Sequence, residues 1–345
     1  MTWLLPHLTV TCTYRKGKSK KATRRERGFE RSHSHDREDS KADREHEAAD
    51  IRHGDRDVRD RPEGSGKDGG GVLRDRQVRI HGGTKWISDL ERMDAQGREW
   101  KFQRDSSIRA DRDEERCELV TPVLRYEDME TLQELIRQIR HAGGKSDKEH
   151  MCGIHIHIGG DGHTPATIRN LVNLMAAHED QLLKAVEVSR AREQNYCRTV
   201  DPDFLERLNR TKPKTKAALA RCWYNGPVEN GHYSQTRYRM CNLHSYFTRF
   251  HTIEFRCFNF DSAGNGRKGG LHAGQLRAMI QLCLALSELA KEVRYASPKK
   301  GQRDNETYGF RCFMLRLGFI GDEFKTAREY FLRNFEGSSA WRHGA

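Results

Sequence analysis

The stretch MCGIHIHIGG at residues 151–160 alternates isoleucine with histidine and ends in two glycines. A period of two is typical of a half-buried β-strand, because successive side chains of a strand point to opposite faces of the sheet. Ile154, Ile156 and Ile158 are therefore expected to face a core. His155 and His157 are expected to share the other face, about 7 Å apart. They are either solvated, hydrogen-bonded histidines or a pair of ligands or acid–base groups on a rigid sheet.

The composition limits the compartment and the class of protein. The chain has 345 residues, enough for one large domain or two ordinary ones. No apolar run approaches the roughly 20 residues that span a bilayer, and the first ten residues do not have the form of a signal peptide. Nine cysteines form no CxxC pair, which favours reduced thiols. We therefore expect a cytoplasmic protein with no membrane partner.

The pattern of the chain changes near residue 93. Residues 1–93 carry little apolar periodicity and are dense in charged residues, serine and glycine, as in a disordered tail. Strands and helices alternate afterwards, which predicts an α+β fold with a mostly antiparallel sheet packed with helices. The predicted strands are 117–124, 151–159 and 251–260, preceded by a strand or hairpin at 97–108. The predicted helices are 126–144, 164–188, 201–209, 214–222, 271–296 and two more near 306–317 and 322–335.

Residues with catalytic chemistry cluster on the polar faces of these strands and in the segments beside them. They are Asp105, Ser107, Glu118, His155, His157, Arg237, Arg239, Asn242, His244, Glu254 and Arg256. Carboxylates suit Mg²⁺, and arginines neutralise the charge of a phosphoryl group in transfer. Each residue also has an ordinary interpretation. Glu254 and Arg256, for example, could be a surface ion pair worth less than about 1 kcal/mol.

The ordered series DSSI, CELVTPVLRYEDMETLQELI, CGIHIHIG, RYRMCNLHS, TIEFRCFN and LHAGQ resembles the putative amidoligase family. The likeness runs from about Asp94 to about Val293, and CGIHIHIG with TIEFR is its most specific pair. Members are ATP-dependent carboxylate–amine ligases related in fold to glutamine synthetase and glutamate–cysteine ligase. The resemblance therefore implies a sheet cradle that binds ATP and Mg²⁺. It also implies that a carboxylate is activated as an acyl phosphate, which an amine attacks to form an amide.

The resemblance also implies roles for the candidate residues. It assigns metal binding to Glu118, His157 and Glu254, and catalysis to His155, Arg239 and Arg256. It assigns cofactor binding to Asp105, Ser107, Arg239, Asn242 and Arg256. The implied partners are an amine and a carboxylate carried by an amino acid or peptide.

The chain departs from the family at its beginning. Members start with a strand that carries Glu-x-Glu, usually in a phrase like FGxEIEM, whereas this chain has ADIRHGDRDV at 49–58. One set of codons for residues 51–58, read one base later, gives FGMEIEM. The same shift at 61–75 permits an amphipathic helix, and at 83–92 it leads into the in-frame sequence. We therefore hypothesise that residues 1–93 are translated out of frame, through a frameshift in the gene or an error in its sequence; a genuine disordered tail is the alternative.

This hypothesis divides the chain and sets an expectation for its activity. We assign residues 1–93 to a disordered segment, 94–296 to an amidoligase-like catalytic domain and 297–345 to a C-terminal helical extension. Without the family's first strand, a glutamine synthetase-like sheet is expected to have a gap or an exposed edge. Two carboxylates are missing from the metal site. We therefore expect the chain as written to be inactive or poorly folded.

Two other functions remain open from the sequence. The His-x-His strand could hold zinc in a hydrolase, which would work without ATP. The net charge of +12 could indicate a non-enzymatic nucleic-acid-binding protein. Residues 1–93 carry 22 Lys and Arg against 17 Asp and Glu. A charge of +5 therefore belongs to the segment that we hypothesise to be translated out of frame. No zinc-finger, RRM or helix-turn-helix pattern supports nucleic-acid binding.

Overall fold

The structure, a computed structural model, describes residues 4–5, 7–14, 90–94, 96–229, 231, 233–248, 250–264, 269–301 and 305–341. The proposed out-of-frame phrases at 51–58 and 61–75 lie outside these residues, as does the phrase at 83–92 except for residues 90–92. The strands are β1 (Leu4–Leu5), β2 (His7–Tyr14), β3 (Leu90–Met93), β4 (Glu99–Gln103), β5 (Arg116–Val120), β6 (Leu124–Arg125), β7 (Gly144–Lys145), β8 (Ile154–Gly159), β9 (Cys241–Asn242) and β10 (Thr252–Phe258). The helices are α1 (Met129–His141), α2 (Pro165–Ala185), α3 (Arg190–Asn195), α4 (Pro202–Thr211), α5 (Lys216–Tyr224), α6 (His244–Phe247), α7 (Ala273–Glu292), α8 (Glu306–Arg316) and α9 (Lys325–Leu332).

The main sheet has the strand order β3-β4-β5-β2-β8-β10-β9, with β7 paired to β2. The ladders within it are antiparallel. The prediction of an α+β fold with a mostly antiparallel sheet is therefore confirmed. The predicted strands and helices from residue 97 onwards are also found, although the strand predicted at 117–124 ends at Val120 and resumes briefly at Leu124.

One face of the sheet is covered by helices and forms the core. Ile154, Ile156 and Ile158 of β8 are fully or almost fully buried on this face, as their alternation predicts. Leu119 and Phe255, from the strands on either side of this part of the sheet, join them in the same hydrophobic cluster. Helix α7 packs against α1, α2 and α9, so the C-terminal helices share this core. The opposite sheet face carries the polar side chains.

The gap that we expected in the sheet is filled by an N-terminal segment. Strand β2 pairs with β5 on one side and β8 on the other, and its Leu8 and Val10 are buried. The expectation of a gap was therefore wrong, because HLTVTCTY has the β-branched alternation of a strand and inserts there. The same strand contains no Asp or Glu, so it does not replace the carboxylates of the family's Glu-x-Glu strand.

Local signals fix the ends of the longest helices. Helix α2 begins as predicted, with Pro165 in its first turn and the Thr164 hydroxyl accepting a hydrogen bond from the Thr167 amide. The loop before it, GGDGHT, connects β8 to α2. Among the described residues, no helix combines the length and the apolar composition that crossing a membrane requires.

Candidate functional site

A cavity of about 1290 Å³ lies on the polar face of the sheet. Its lining includes Glu118 of β5, His155 and His157 of β8, Asn242 of β9 and Glu254 of β10. These five predicted residues come from four strands, and the sheet brings them onto one surface. Typical small-molecule sites measure roughly 300–1,000 Å³. This cavity is therefore large enough for a sizeable ligand beside a second, smaller one.

The centre of the cavity is a cross-strand pair between β8 and β10. His157 lies opposite Glu254 in the antiparallel register, which places both side chains on the same face. His157 Nε2 is 3.6 Å from Glu254 Oε1, and His155 Nδ1 is also 3.6 Å from that oxygen. The other ring nitrogen of His157 lies 2.9 Å from Thr252 Oγ1, which fixes the orientation of the ring. Two imidazoles thus converge on one carboxylate oxygen.

Glu254 is a buried carboxylate held by polar neighbours on both oxygens. Oε1 accepts a hydrogen bond from the Arg256 guanidinium at 2.5 Å, and Oε2 accepts one from Asn242 Nδ2 at 2.6 Å. Ser245 Oγ lies 3.3 Å from Oε2. Burial alone would raise the pKa of Glu254. The Arg256 charge and the two histidines overcome that effect and hold the pKa well below its usual value, so the group stays ionised at neutral pH.

His155 is held neutral by its surroundings. Burial lowers the pKa of His155 well below the ordinary value, and the positive charge of Arg256 lowers it further, although Glu254 opposes both effects. A neutral imidazole presents one nitrogen that accepts a hydrogen bond and one that donates. His155 is therefore available as a neutral ligand or hydrogen-bonding group at the wall of the cavity.

The other carboxylate of the site, Glu118, lies on the far side of β2 and β8. Its Oε2 accepts a hydrogen bond of 2.6 Å from Gln103 Nε2 on β4. In the register of β2, Thr11 lies opposite Glu118 and Thr9 opposite His155. Between the two carboxylate-bearing strands, β8 contributes the two histidines, and β2 has Thr9 and Thr11 at these positions and His7 opposite His157. The polar face consequently has carboxylates at its two sides and none on its central strand β2.

The structure does not bring every predicted residue to the cavity. Arg239 donates to Asp201 Oδ2 at 2.5 Å and to the Thr199 carbonyl, and it lines a separate small cavity. Asp105 accepts a hydrogen bond from the Ser107 amide in a turn, outside the lining of the large cavity. Arg239 and Asp105 stay away from the cavity because each forms hydrogen bonds with groups close to it.

Arg256 also lies behind the cavity rather than in its lining. Its side chain is 4% exposed, and besides Glu254 it donates to the Tyr196 carbonyl at 3.2 Å. The guanidinium lies 5.6 Å from the centre of the Tyr238 ring. Arg256 therefore acts on the site through Glu254, whose charge and orientation it fixes.

Several residues that line the cavity have no role assigned to them from the sequence. Lys101 and Gln103 of β4 line it because EWKFQ alternates polar and apolar residues, a signal that the sequence already carried. Arg237 and His244, considered with the RYRMCNLHS cluster, also line it. His251 also lines the cavity and has a positive φ of 50°, which nothing in the sequence predicts.

The donor set fits one kind of metal site better than another. Within the described part of the chain, no group of three or more His, Cys, Asp and Glu side chains is arranged to hold a metal ion. A catalytic zinc site takes three protein ligands. Magnesium is commonly held by one or two carboxylates together with substrate phosphates and water. Glu118 and the ionised Glu254 on one open face fit this second pattern.

Comparison with protein families gives one match. The family model described as a putative amidoligase enzyme matches residues 44–287, more than half of the chain. The matched range includes β4 to β10, which carry the cavity, and ends within α7. It begins at residue 44, ahead of the domain boundary that we predict at residue 94. Comparison with curated proteins and with solved structures finds no match.

Proposed function

The chain belongs to the putative amidoligase enzyme family, and on this premise we propose that it forms an amide from a carboxylate and an amine at the expense of ATP. The carboxylate oxygen attacks the γ-phosphorus, the bond to ADP breaks, and an acyl phosphate results. The amine nitrogen then attacks the acyl carbon, phosphate leaves, and the nitrogen loses a proton. The observation that carries the proposal is the shared face of Glu118, His155, His157 and Glu254 in one large cavity.

The size and the donor set of the cavity support a nucleotide and magnesium. About 1290 Å³ accommodates a nucleotide with a second substrate beside it. Glu118 and Glu254 lie on strands separated by β2 and β8, so each would hold a Mg²⁺ ion of its own, and the bound ions would neutralise phosphate charge during phosphoryl transfer. His157, oriented by Thr252, would lie beside the ion held by Glu254. The antiparallel sheet with helices on one face is compatible with a glutamine synthetase-like catalytic fold, which we include in the proposal.

Charged side chains of the cavity wall would bind the phosphates. We assign this role to Arg237 and Lys101, which line the cavity, rather than to Arg239, which pairs with Asp201. Asn242 and Arg256 would hold Glu254 in its ionised form, and Arg256 would be a positioning residue. Neutral His155 would hydrogen-bond the substrates. The cysteines from Cys117 to Cys312 are free thiols, which supports a cytoplasmic enzyme.

The first experiment measures ADP release with ATP, Mg²⁺ and pools of amino acids and peptides. Two proteins are compared: the chain as given and a frame-corrected chain that carries FGMEIEM. Because the missing carboxylates belong to the metal site, the corrected chain is expected to be the active one and the given chain much weaker. ADP release that requires both a carboxylate and an amine would support the ligase. No ATP consumption by either chain with any pool would contradict it.

Matched variants locate the activity in the cavity. His157→Ala is expected to lower kcat/KM at least tenfold, by analogy with losses at metal sites. His150→Ala removes a histidine that lies outside this cavity beside Asp147, and it should leave the rate unchanged. Arg237→Gln is expected to raise KM for ATP about tenfold or more, whereas Arg239→Gln should not. The reverse order for the two arginines would contradict the assignment of the phosphate site.

A further inference from the structure

A buried arginine on α3 has only backbone groups as partners. Arg192 is 3% exposed, and its Nη atoms donate to the carbonyls of Met151 at 3.4 Å, Arg256 at 3.2 Å and Phe258 at 3.4 Å. Its Nε makes no hydrogen bond with any described residue, and no described carboxylate lies within ion-pair distance of the guanidinium. Buried charges in proteins are normally paired with an opposite charge, so this arginine is unusual.

The guanidinium lies at the end of the β8–β10 ladder, next to the cavity wall. Gly153 is two residues before His155, and a Cβ built on it would lie 2.3 Å from Arg192 Nη1. A side chain at position 153 would therefore displace the guanidinium. Burial lowers the pKa of His155, and the charges of Arg256 and Arg192 lower it further against the opposing effect of Glu254. The charge of Arg192 thus acts on a residue that lines the cavity.

The charges at this end of the cavity do not cancel. Glu254 and Arg256 pair directly, and Arg192 adds a second positive charge, because arginine stays protonated in proteins. The nearby thiols of Cys197 and Cys257 do not compensate for it, since burial raises the pKa of both. One negative and two positive charges give this buried group a net charge of +1, even with both histidines neutral.

A buried net charge of this kind is unfavourable by itself. Transfer of a charge out of water is costly, and backbone carbonyls offset only part of that cost. The other carboxylates that line the cavity, Glu99 and Glu118, lie on β4 and β5, on the far side of β2. Charges in the interior also act over longer distances than in water, because the effective dielectric constant is lower and salt screens them less. An anion beside His155 would therefore stabilise the buried arginine.

We propose that Arg192 attracts the phosphate chain of a nucleotide to the end of the cavity beside His155, through its buried charge and without touching the ligand. Identifying the nucleotide as ATP rests on the proposed function, whereas the attraction applies to any phosphate chain. Arg192 would be a positioning residue for the phosphates. It complements Arg237 and Lys101, which line the cavity and would contact the phosphates directly.

The test is isothermal titration of the full chain with ADP and with AMP, in EDTA so that no metal ion contributes charge. Arg192→Lys keeps the charge, Arg192→Gln keeps amide donors for the carbonyls, and Arg192→Met keeps only the apolar stem. We expect Arg192→Lys to bind ADP almost as tightly as the wild type, and the two neutral variants to bind it about tenfold more weakly. The loss should be smaller for AMP, which carries fewer negative charges.

The outcomes separate this inference from the proposed function. Wild-type affinity for ADP in Arg192→Met would overturn the inference, as would wild-type affinity in Arg192→Gln with a loss in Arg192→Lys. If tripolyphosphate binding depends on Arg192 but no ADP is released from ATP with any substrate pool, the ligase fails and the attraction holds. If ADP is released and Arg192→Met changes no affinity, the ligase holds and the attraction fails. A wild type that binds neither ADP nor tripolyphosphate would overturn both.

A matched pair of variants keeps Arg192 and changes only the charge beside it. Cys197 follows α3, is buried, and has its Sγ 3.4 Å from the Arg192 carbonyl oxygen. Cys197→Asp adds a carboxylate near the guanidinium, whereas Cys197→Asn adds a side chain of the same shape without the charge. We expect Cys197→Asp alone to weaken ADP binding, by about as much as Arg192→Met does. Equal effects of the two substitutions would contradict the inference.

A further control separates binding from stability. Asn170 of α2 is 2% exposed and lies outside the cavity lining, and its Nδ2 donates to the carbonyls of Ala290 and Val293. Asn170→Ala also leaves buried carbonyls without a donor, so we expect a lower Tm with unchanged affinity for ADP. If the affinity for ADP follows Tm through all of these variants, Arg192 acts only through stability and the inference fails.

Discussion

Replacing Arg256 with methionine tests whether this residue serves the site by holding Glu254. The two side chains are 4% and 3% exposed and are joined by the 2.5 Å contact between Nη1 and Oε1. Methionine retains much of the apolar stem but removes the charge. Glu254 would then keep Asn242 and Ser245 as hydrogen-bond donors and would lose its only arginine partner among the described residues.

The expected cost follows from the burial of the pair. Removing one partner of a buried ion pair typically lowers the free energy of unfolding by about 3–5 kcal/mol, because an uncompensated charge is left behind. A second substitution, Glu254→Gln, removes that charge and puts in its place an amide that can still form hydrogen bonds. The double variant is therefore expected to be more stable than the sum of the two single effects predicts, with a coupling of at least about 1 kcal/mol.

The assay is urea unfolding followed by tryptophan fluorescence, with free energies from linear extrapolation. The matched control is Arg210→Met, in the i, i+4 pair with Glu206, whose side chains are 68% and 71% exposed and 3.1 Å apart. Exposed pairs of this kind contribute about 0.5 kcal/mol. A loss below about 1 kcal/mol for Arg256→Met, or equal losses at the two sites, would refute the reasoning.

The pH dependence supplies a second check on the same variant. The folded-state pKa of Glu254 lies below the unfolded value, so its stabilising contribution is present above that value, about 4.3, and is lost as the pH falls through the folded-state pKa. In Arg256→Met, burial raises the pKa of Glu254 instead, and the carboxylate takes up a proton at higher pH. The difference in stability between wild type and variant should therefore shrink as the pH is lowered from 7 toward 4.

Three further predictions concern other parts of the chain. Burial lowers the pKa of His163 from 6.5 to about 4. Lowering the pH from 7.5 to 5 should therefore remove about 2 kcal/mol from the free energy of unfolding. In urea titrations, His163→Gln should lack this part of the pH dependence. Gly153→Ala places a Cβ 2.3 Å from Nη1 of the buried Arg192, so we expect a loss of about 1–3 kcal/mol in thermal unfolding, and a loss near zero would show that Arg192 can move. Sequencing the source DNA should show third bases that permit FGMEIEM at residues 51–58; codons that forbid it would end the frameshift hypothesis.

The sequence by itself determined the local elements and the side chains that share a face. The alternation in GIHIHIG places its isoleucines in the core and His155 and His157 on the polar face, and the structure agrees. Thr164 followed by Pro165 likewise predicted the start of the helix at 164–188. These features depend on short-range periodicity, which the residues of one strand or helix set among themselves.

The tertiary structure decided which distant residues meet. The pairing of His157 with Glu254 depends on the register of β8 and β10, which are separated by almost a hundred residues. The insertion of His7–Tyr14 between β5 and β8 likewise depends on long-range pairing. The position of an arginine guanidinium also depends on the tertiary structure, because the long side chain turns toward acceptors that can be distant in the sequence. Arg239 therefore reaches Asp201 rather than the cavity, and Arg140 reaches the start of α7.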